Sequence, residues 1–436
     1  MRTTRSRRAL IAGIAGIALV AAGCSSNNDP DTDTDTPVEP GTDSDEEITL
    51  TVATFNEFGY EDLITEYMDL YPNITVEQVK AATSNEARDK LNTSIAAGSG
   101  AADIEAIEVD WLPELMQYPD KFVDLTDPSV DGRWLDWKVQ QATTADGQLL
   151  GYGTDIGPEA ICYRPDLFAE AGLPTDRDEV AELLEGDWEH YFSVGDDFVA
   201  NSEAAWFDSA GATYQAMVNQ LENAYEADDG SVIGLEGSEV EDLYNTVLEA
   251  SVDRDLSAHL GQWSDDWFAA FQGPTFATMA CPGWMLGIIE GNAAGVSWDI
   301  ADVFPGGGGN WGGSFLTVPA GGDNVEAAKA LANWLTAPEQ QIKAFVAKGT
   351  FPSQTEALSS PDLLDLTNPF FNEAPTGQIL ANRAEAVSVA PFKGANYFAI
   401  HQTVADGLTR VDVEQTDDAA SSWQKTLQAF SELGLG

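Results

Sequence analysis

The side chains best suited to do chemistry in this chain are aromatic plates set beside carboxylates and amides. The 436 residues include 12 Trp, 11 Tyr and 19 Phe, and several of the tryptophans fall in segments that read as loops. Trp311 stands between Asn310 and Gly312, neighbours foreign to a close-packed core. Asn56 and Glu57 follow one strand-like run, Asp110 and Trp111 follow another, and Asp155 lies at the edge of a third. Flat rings pack on flat C–H faces, and planar amides and carboxylates can hold two adjacent hydroxyls at once. Such a set suits a ring-shaped ligand rich in hydroxyls. Trp206 and Trp263 are secondary contacts on the same reading. Each residue also has a plainer role open to it: Asp and Asn cap helices and turns, and a tryptophan after a strand often closes a core.

Other chemistries find less support. His190, His259 and His401 lie far apart and match no metal-ligand spacing. No nucleophile elbow or Ser–His–Asp grouping is present. The glycine-rich stretch 304–319 lacks the Lys-Ser/Thr ending of a phosphate loop, so it reads as a crossing, ligand-contacting loop. No metal and no cofactor are expected. A secreted glycoside hydrolase would need a carboxylate pair at a defined separation. In a chain with 73 Asp and Glu such a pair could always be found, so its presence would carry no information. A surface carbohydrate-binding adhesin is a third reading, disfavoured by the absence of repeats.

The elements that must position these residues begin at Ile48. Residues 48–55 alternate apolar and polar side chains as a strand does. Leu63, Ile64, Tyr67, Met68 and Tyr71 recur at helical spacing, and Pro72-Asn73 ends that helix. A strand at 74–79, a helix at 86–97 and a strand at 104–109 follow. This order is the grammar of an α/β domain with a parallel sheet, in which ligands meet the loops at the strands' carboxyl ends. Strands are expected near 148–154 and 160–164, with a helix at 166–172. Residues 200–296 read as mostly helical. Helices at 325–335 and 339–348 precede a second crossing at 351–354 and a helical tail from 356 to 433.

Ahead of Ile48 the chain is of another kind. Arg2, Arg5, Arg7 and Arg8 precede an apolar run from Ala9 to Ala22, the pattern of a secretory signal and too short for a comfortable span. Ala21-Ala22-Gly23-Cys24 resembles a bacterial lipobox, with Ala21 in place of the usual Leu, and predicts lipidation at Cys24. Ser6-Arg7-Arg8 is also a weak twin-arginine pattern. Residues 25–47 repeat Asp-Thr, carry Pro and Gly and lack large apolar groups, so they read as a disordered acidic tether. The net charge is −53; with the signal's four arginines and the tether's nine acids set aside, residues 48–436 still carry −48. Acidity spread through the folded part argues against nucleic acid and against docking on anionic lipid. It reads as a solubility device, suited to high salt. With Cys24 taken by the anchor, Cys162 and Cys281 remain. An even pair outside the cytoplasm suggests a disulfide, with two separate buried thiols as the alternative.

Five segments, in order, resemble the family 1 extracellular solute-binding proteins of ABC importers. They are Ile48–Phe55; Ile161-Cys162-Tyr163-Arg164-Pro165-Asp166-Leu167-Phe168 with Ala171-Gly172-Leu173-Pro174; Gly273 with Met279 to Met285; Gly312-Gly313-Ser314 with Val318-Pro319; and Leu335 to Gln341. Arg164 departs from the family's usual Asn, and Cys162 and Cys281 are additions. The resemblance implies a periplasmic-binding-protein-like fold of type II: two α/β lobes joined by a hinge, with the ligand cleft between them. The lobes would be 48–157 plus 312–350 and 158–311 plus 351–436. It also implies that Trp284 stacks on a sugar and that Tyr397 lies in the cleft. The expected site is then Asn56, Glu57, Asp110, Trp111, Asp155, Trp284, Asn310, Trp311 and Tyr397. The expected function is that of a monomeric receptor, not an enzyme. It would be held at the outer face of the cell membrane by lipidated Cys24 alone, binding a di- or oligosaccharide and passing it to ABC importer permease subunits.

Overall fold

Leu50 and Val52 are fully buried while Thr49 points to solvent, so the alternation of the first strand, β1 (Ile48–Phe55), is that of a sheet packed on one face. The computed structural model describes residues 46–435; the signal, Cys24 and nearly all of the tether lie outside the described residues. β1 runs parallel to β2 (Ile74–Ala81) and to β3 (Ile104–Glu108). The helix Glu61–Leu70 links β1 to β2 and buries Leu63, Ile64 and Tyr67. The helix Ser84–Ala97 links β2 to β3. Thr83 caps its start by accepting from the Glu86 N–H, and Gly98, at φ 69°, closes its end.

The sheet is not wholly parallel, as the sequence pattern suggested. Its order is β2-β1-β3-β9-β4, where β4 is Gly151–Gly153 and β9 is Ser314–Thr317. β9 runs antiparallel to both β3 and β4. The reason is topological: β9 arrives from the second sheet and enters between strands laid down some 160–210 residues earlier.

The second sheet has three strands. β6 (Glu159–Tyr163) lies between β7 (Thr278–Pro282) and β8 (Asp299–Ala301), antiparallel to each. β7 is a strand within the stretch 200–296, whose other elements are helical as the pattern suggested. Every residue of β7 is buried, and a strand covered on both faces shows no alternation to betray it. Cys162 on β6 and Cys281 on β7 are joined as a disulfide, with 5.5 Å between their Cα atoms. The register sets Cys162 opposite Met279 and Ala160 opposite Cys281, so the bridge ties the strands diagonally.

Three cores follow this division. One gathers Leu50, Ile107 and Leu150 with Phe315 and Leu331. A second gathers Phe168, Phe192, Trp206 and Tyr244 with Leu408. A third gathers Trp267, Phe271, Cys281 and Trp298 with Phe351. Between the sheets the chain crosses three times. β5 (Asp155–Ile156) pairs antiparallel with β10 (Phe351–Pro352), and Pro158 bridges Asn310. The Gln341 side chain ties the crossings together: its Nε2 donates to Gly153 O at 2.8 Å, and its Oε1 accepts from the Ser353 and Gln354 N–H groups at 2.9 and 3.1 Å.

The bridge closes a loop of 119 residues. Replacing both Cys162 and Cys281 by Ala is expected to lower the unfolding free energy by about 2–4 kcal/mol. Urea unfolding of the two proteins checks this; an unchanged midpoint would show that the bridge adds nothing.

Candidate ligand-binding site

The crossing strands build the floor of a cavity of about 490 Å³. Gly157 is the tightest point. A Cβ there would sit 1.8 Å from the Trp311 carbonyl oxygen, so only glycine lets the two crossings touch. The Trp311 N–H donates to Gly157 O at 2.8 Å, and the Gly157 N–H donates to Asn310 Oδ1 at 2.9 Å. Asn310 Nδ2 in turn donates to Gly312 O at 3.0 Å. The floor is thus stitched through one asparagine side chain, and Trp311 stands up from it.

Trp284 reaches the same wall from the first turn of the helix Gly283–Asn292. That helix is pressed against the end of the helix Pro338–Lys348: a Cβ on Gly287 would lie 2.4 Å from Lys348 O, and one on Gly283 2.9 Å from Gly349 O. The two glycines bring one face against backbone and leave the face bearing Trp284 to the cavity. Trp284 Nε1 donates to Trp311 O at 3.0 Å. Its ring stacks with Trp263 at 6.1 Å and 23° and meets Trp311 edge-on at 5.4 Å and 88°. All three indoles are half-buried and line the cavity. Trp263 holds a φ of +70°, a conformation uncommon for a bulky residue.

The opposite side is polar. Asn56 and Glu57, in the turn after β1, line it. Asn56 Oδ1 is buried without a partner among the described residues, while Glu57 pairs with Lys80 at 2.9 Å and Lys348 at 3.4 Å. Asp155 Oδ1 accepts from Thr154 Oγ1 at 2.7 Å and the Ser314 N–H at 2.9 Å, and its Oδ2 takes no hydrogen bond from the described residues. Glu108 Oε2 accepts from the Asp110 N–H at 2.8 Å; burial, with Asp110 adding to it, pushes its carboxyl well up. Beneath the floor, Lys138 is buried with no hydrogen-bond partner among the described residues, 3.8 Å from the Phe315 ring centroid. Burial pushes its ammonium down to about 7.

Six of the nine site residues expected from sequence therefore meet at one cavity: Asn56, Glu57, Asp110, Asp155, Trp284 and Trp311. The structure places the other three outside its lining. Trp111 is buried, donating from Nε1 to Ser84 Oγ at 2.9 Å. Asn310 is buried in the stitching of the floor. Tyr397 is buried against His401, its ring parallel at 5.8 Å. Of the two secondary contacts, Trp263 lines the cavity, and Trp206 is fully buried in the second core.

Sequence reasoning missed one whole wall. Phe398, His401, Gln402, Ala405, Thr409 and Asp412, from the helix Tyr397–Asp412, line the cavity. Their spacing of three and four residues is one helical stripe, legible in principle, but its polar residues make it look like a solvent face. Gln215, with its Nε2 buried and unpartnered, was missed as well. Burial pushes His401 down to about 4, so the ring is neutral. Asp412 is fastened by the Ala210 N–H at 2.8 Å, by Ser251 Oγ and by His259 Nδ1 at 2.8 Å. Glu57, Glu108, Asp110, Asp155 and Asp412 line the cavity, and among the described residues no Lys or Arg does.

Comparison with known proteins places this geometry. The family model described as bacterial extracellular solute-binding protein matches residues 62–369. A crystal structure named extracellular solute-binding protein family 1 is 50% identical, with a TM-score of 0.78, over 88% of this chain and 99% of that one. The ABC transporter associated binding protein from B. animalis subsp. lactis, in complex with beta-1,6-galactobiose, is 18% identical at a TM-score of 0.75, over 89% and 98% of the two chains. Maltose-bound T. maritima MalE3 is 15% identical at a TM-score of 0.70, over 88% and 100%. The fold is that of the type II periplasmic sugar-binding proteins. The chain belongs to the bacterial extracellular solute-binding protein family.

Two outcomes follow from the geometry of the site. Gly157→Ala is expected to push Trp311 off the floor and cost about 1–3 kcal/mol; an unchanged melting midpoint and unchanged tryptophan emission would refute the close approach. The hydrogen bond to Asp412 raises the His259 pKa above the usual histidine value. A raised folded-state pKa contributes stability that is fully present below about pH 6.5 and is lost as pH rises through the folded value. The melting advantage of wild type over His259→Gln should therefore hold below about pH 6.5 and shrink as pH rises above it. An advantage that grows over that range would reverse the assignment.

Proposed function

We propose that this chain is an exported receptor, lipid-anchored at Cys24, that binds a di- or oligosaccharide and delivers it to an ABC importer without transforming it. The observation that carries the reading is the wall of three indoles, Trp263, Trp284 and Trp311, facing carboxylates and amides in a cavity that no Lys or Arg among the described residues lines. Indole faces suit the C–H faces of pyranose rings, and the unpartnered Asn56 Oδ1, Gln215 Nε2 and Asp155 Oδ2 suit their hydroxyls. A phosphorylated or carboxylated sugar would bring its charge to a wall of carboxylates that, among the described residues, offers no Lys or Arg to receive it. The solved relatives that carry beta-1,6-galactobiose and maltose support a saccharide of more than one ring, as does the spread of indoles along the wall.

On this reading the chain has two lobes, 48–157 plus 312–350 and 158–311 plus 351–436, hinged at the three crossings. In the closed arrangement the Asn56 and Asp155 side would face the indole side, with the ligand between them. The acidic tether would give the receptor reach from the membrane to the permease subunits, and the receptor would work as a monomer.

The test is tryptophan emission during titration with a panel that includes maltose and beta-1,6-galactobiose, with chromatography of the sugar afterwards. Saturable change with intact sugar supports the receptor; release of monosaccharide overturns it in favour of hydrolysis. Trp284→Ala and Trp311→Ala should each weaken binding by more than about 1 kcal/mol. Unchanged affinity in both would remove the indole wall from the site.

A further inference from the structure

Lys393 lies in the segment joining the helix Thr376–Ala386 to the helix Tyr397–Asp412. Its ammonium pairs with Asp110, in the turn that follows β3 of the first sheet, and donates to Asn219 Oδ1 at 3.2 Å. It also sits 4.7 Å from the centroid of the Tyr397 ring. The pair is shielded from water: the side chains of Lys393 and Asp110 are 5% and 14% exposed. A shielded ion pair is weak evidence for stability, but losing either partner leaves the other charge buried and alone.

The segment carrying Lys393 is fixed to the second lobe. The Phe392 N–H donates to Glu222 O at 2.8 Å. Asn396 donates to Glu226 from its backbone at 3.2 Å and from Nδ2 at 2.9 Å. Gly394 packs so closely on that carboxylate that a Cβ would lie 2.4 Å from it. Lys393 is thus an arm carried by one lobe that reaches a carboxylate of the other. Asp110 lines the cavity and donates its N–H to Glu108, so the arm ends on the binding wall. The same rim is crossed by the Arg88 guanidinium, 4.2 Å above the Phe398 ring, and by Asn85 Nδ2, 3.5 Å from Gln402 Oε1. Of these three crossings, only Lys393 and Asp110 join opposite charges out of water.

We infer that Lys393 is a positioning residue of the binding site, clasping Asp110 from behind the cavity wall so that the two lobes favour the closed arrangement. This rests on the two-lobed receptor reading above. The clasp sets the population of the closed state, and the ligand adds to it.

The inference is tested without sugar, by electron-spin distance measurement on the full chain carrying Cys24→Ser. Labels are placed at Asp89→Cys and Asp406→Cys, both exposed and on opposite sides of the rim. Lys393→Met and Asp110→Asn are each expected to lengthen and broaden the distance distribution. Asp110→Asn keeps the shape of the side chain, so it guards against a variant that merely fails to fold. In the double variant the opening should match the single variants, because both remove the same pair. A wild-type distribution in either single variant, or additive opening in the double variant, overturns the clasp. The sugar titration reports separately on the receptor reading, so the two can fail independently.

Discussion

The close approach of Gly157 to the carbonyl of Trp311 governs this structure. Two crossings of the chain meet with no room for a methyl group, and a third is sewn to them by Gln341. Where backbones touch, their polar groups can satisfy one another, and nearly all do so here through Gly157, Asn310 and Ser314. The same contact presents Asp155, Gly312 and Gly313 to the cavity and raises Trp311 beside Trp284. Hinge, floor and aromatic wall are therefore consequences of one packing constraint.

Charge is arranged differently inside and outside. The surface is strongly acidic, and in water such charge is screened. At the crossings it cannot be. Glu159 is fully buried with neither carboxylate oxygen hydrogen-bonded by the described residues, and burial pushes its pKa far up, so it stays neutral there. Lys138 and Glu108 are pushed toward neutrality by the same cause. Other carboxylates at the wall have basic partners: Glu57 has Lys80 and Lys348, Asp110 has Lys393, and Asp412 has His259. The cavity is thus polar without being strongly charged, which fits a ligand of hydroxyls.

Two of the sequence's additions to its family pattern have different physical weight. The Cys162–Cys281 bridge ties two adjacent strands of the second sheet, behind the site, and acts on stability. Arg164 is buried, pairing with Asp166 at 2.7 Å and donating to Gly273 O at 2.6 Å. It fastens the strand β6 to the segment that precedes β7, a task a shorter Asn could not perform across that span.

The sequence by itself determined the βαβαβ opening, because its alternation and its 3.6-residue spacing are local signals that packing did not overrule. It also determined the crossings in the glycine-rich stretch 304–319 and at 351–354, where glycine and proline restrict or free the backbone, and the family to which the chain belongs. Trp311 was legible because a bulky ring between asparagine and glycine has few places in a core, and Trp284 through the family resemblance. Only the tertiary structure decided the rest. It put β9 antiparallel between β3 and β4, since strand order depends on partners far along the chain. It revealed β7, whose burial on both faces leaves no period. It drew Trp111, Asn310 and Tyr397 behind the wall, because a side chain's neighbours, not its type, settle whether it meets solvent. And it turned the polar stripe of the helix Tyr397–Asp412 toward the cavity, a choice that spacing cannot make, since a face built for a hydroxylated ligand and one built for water carry the same residues.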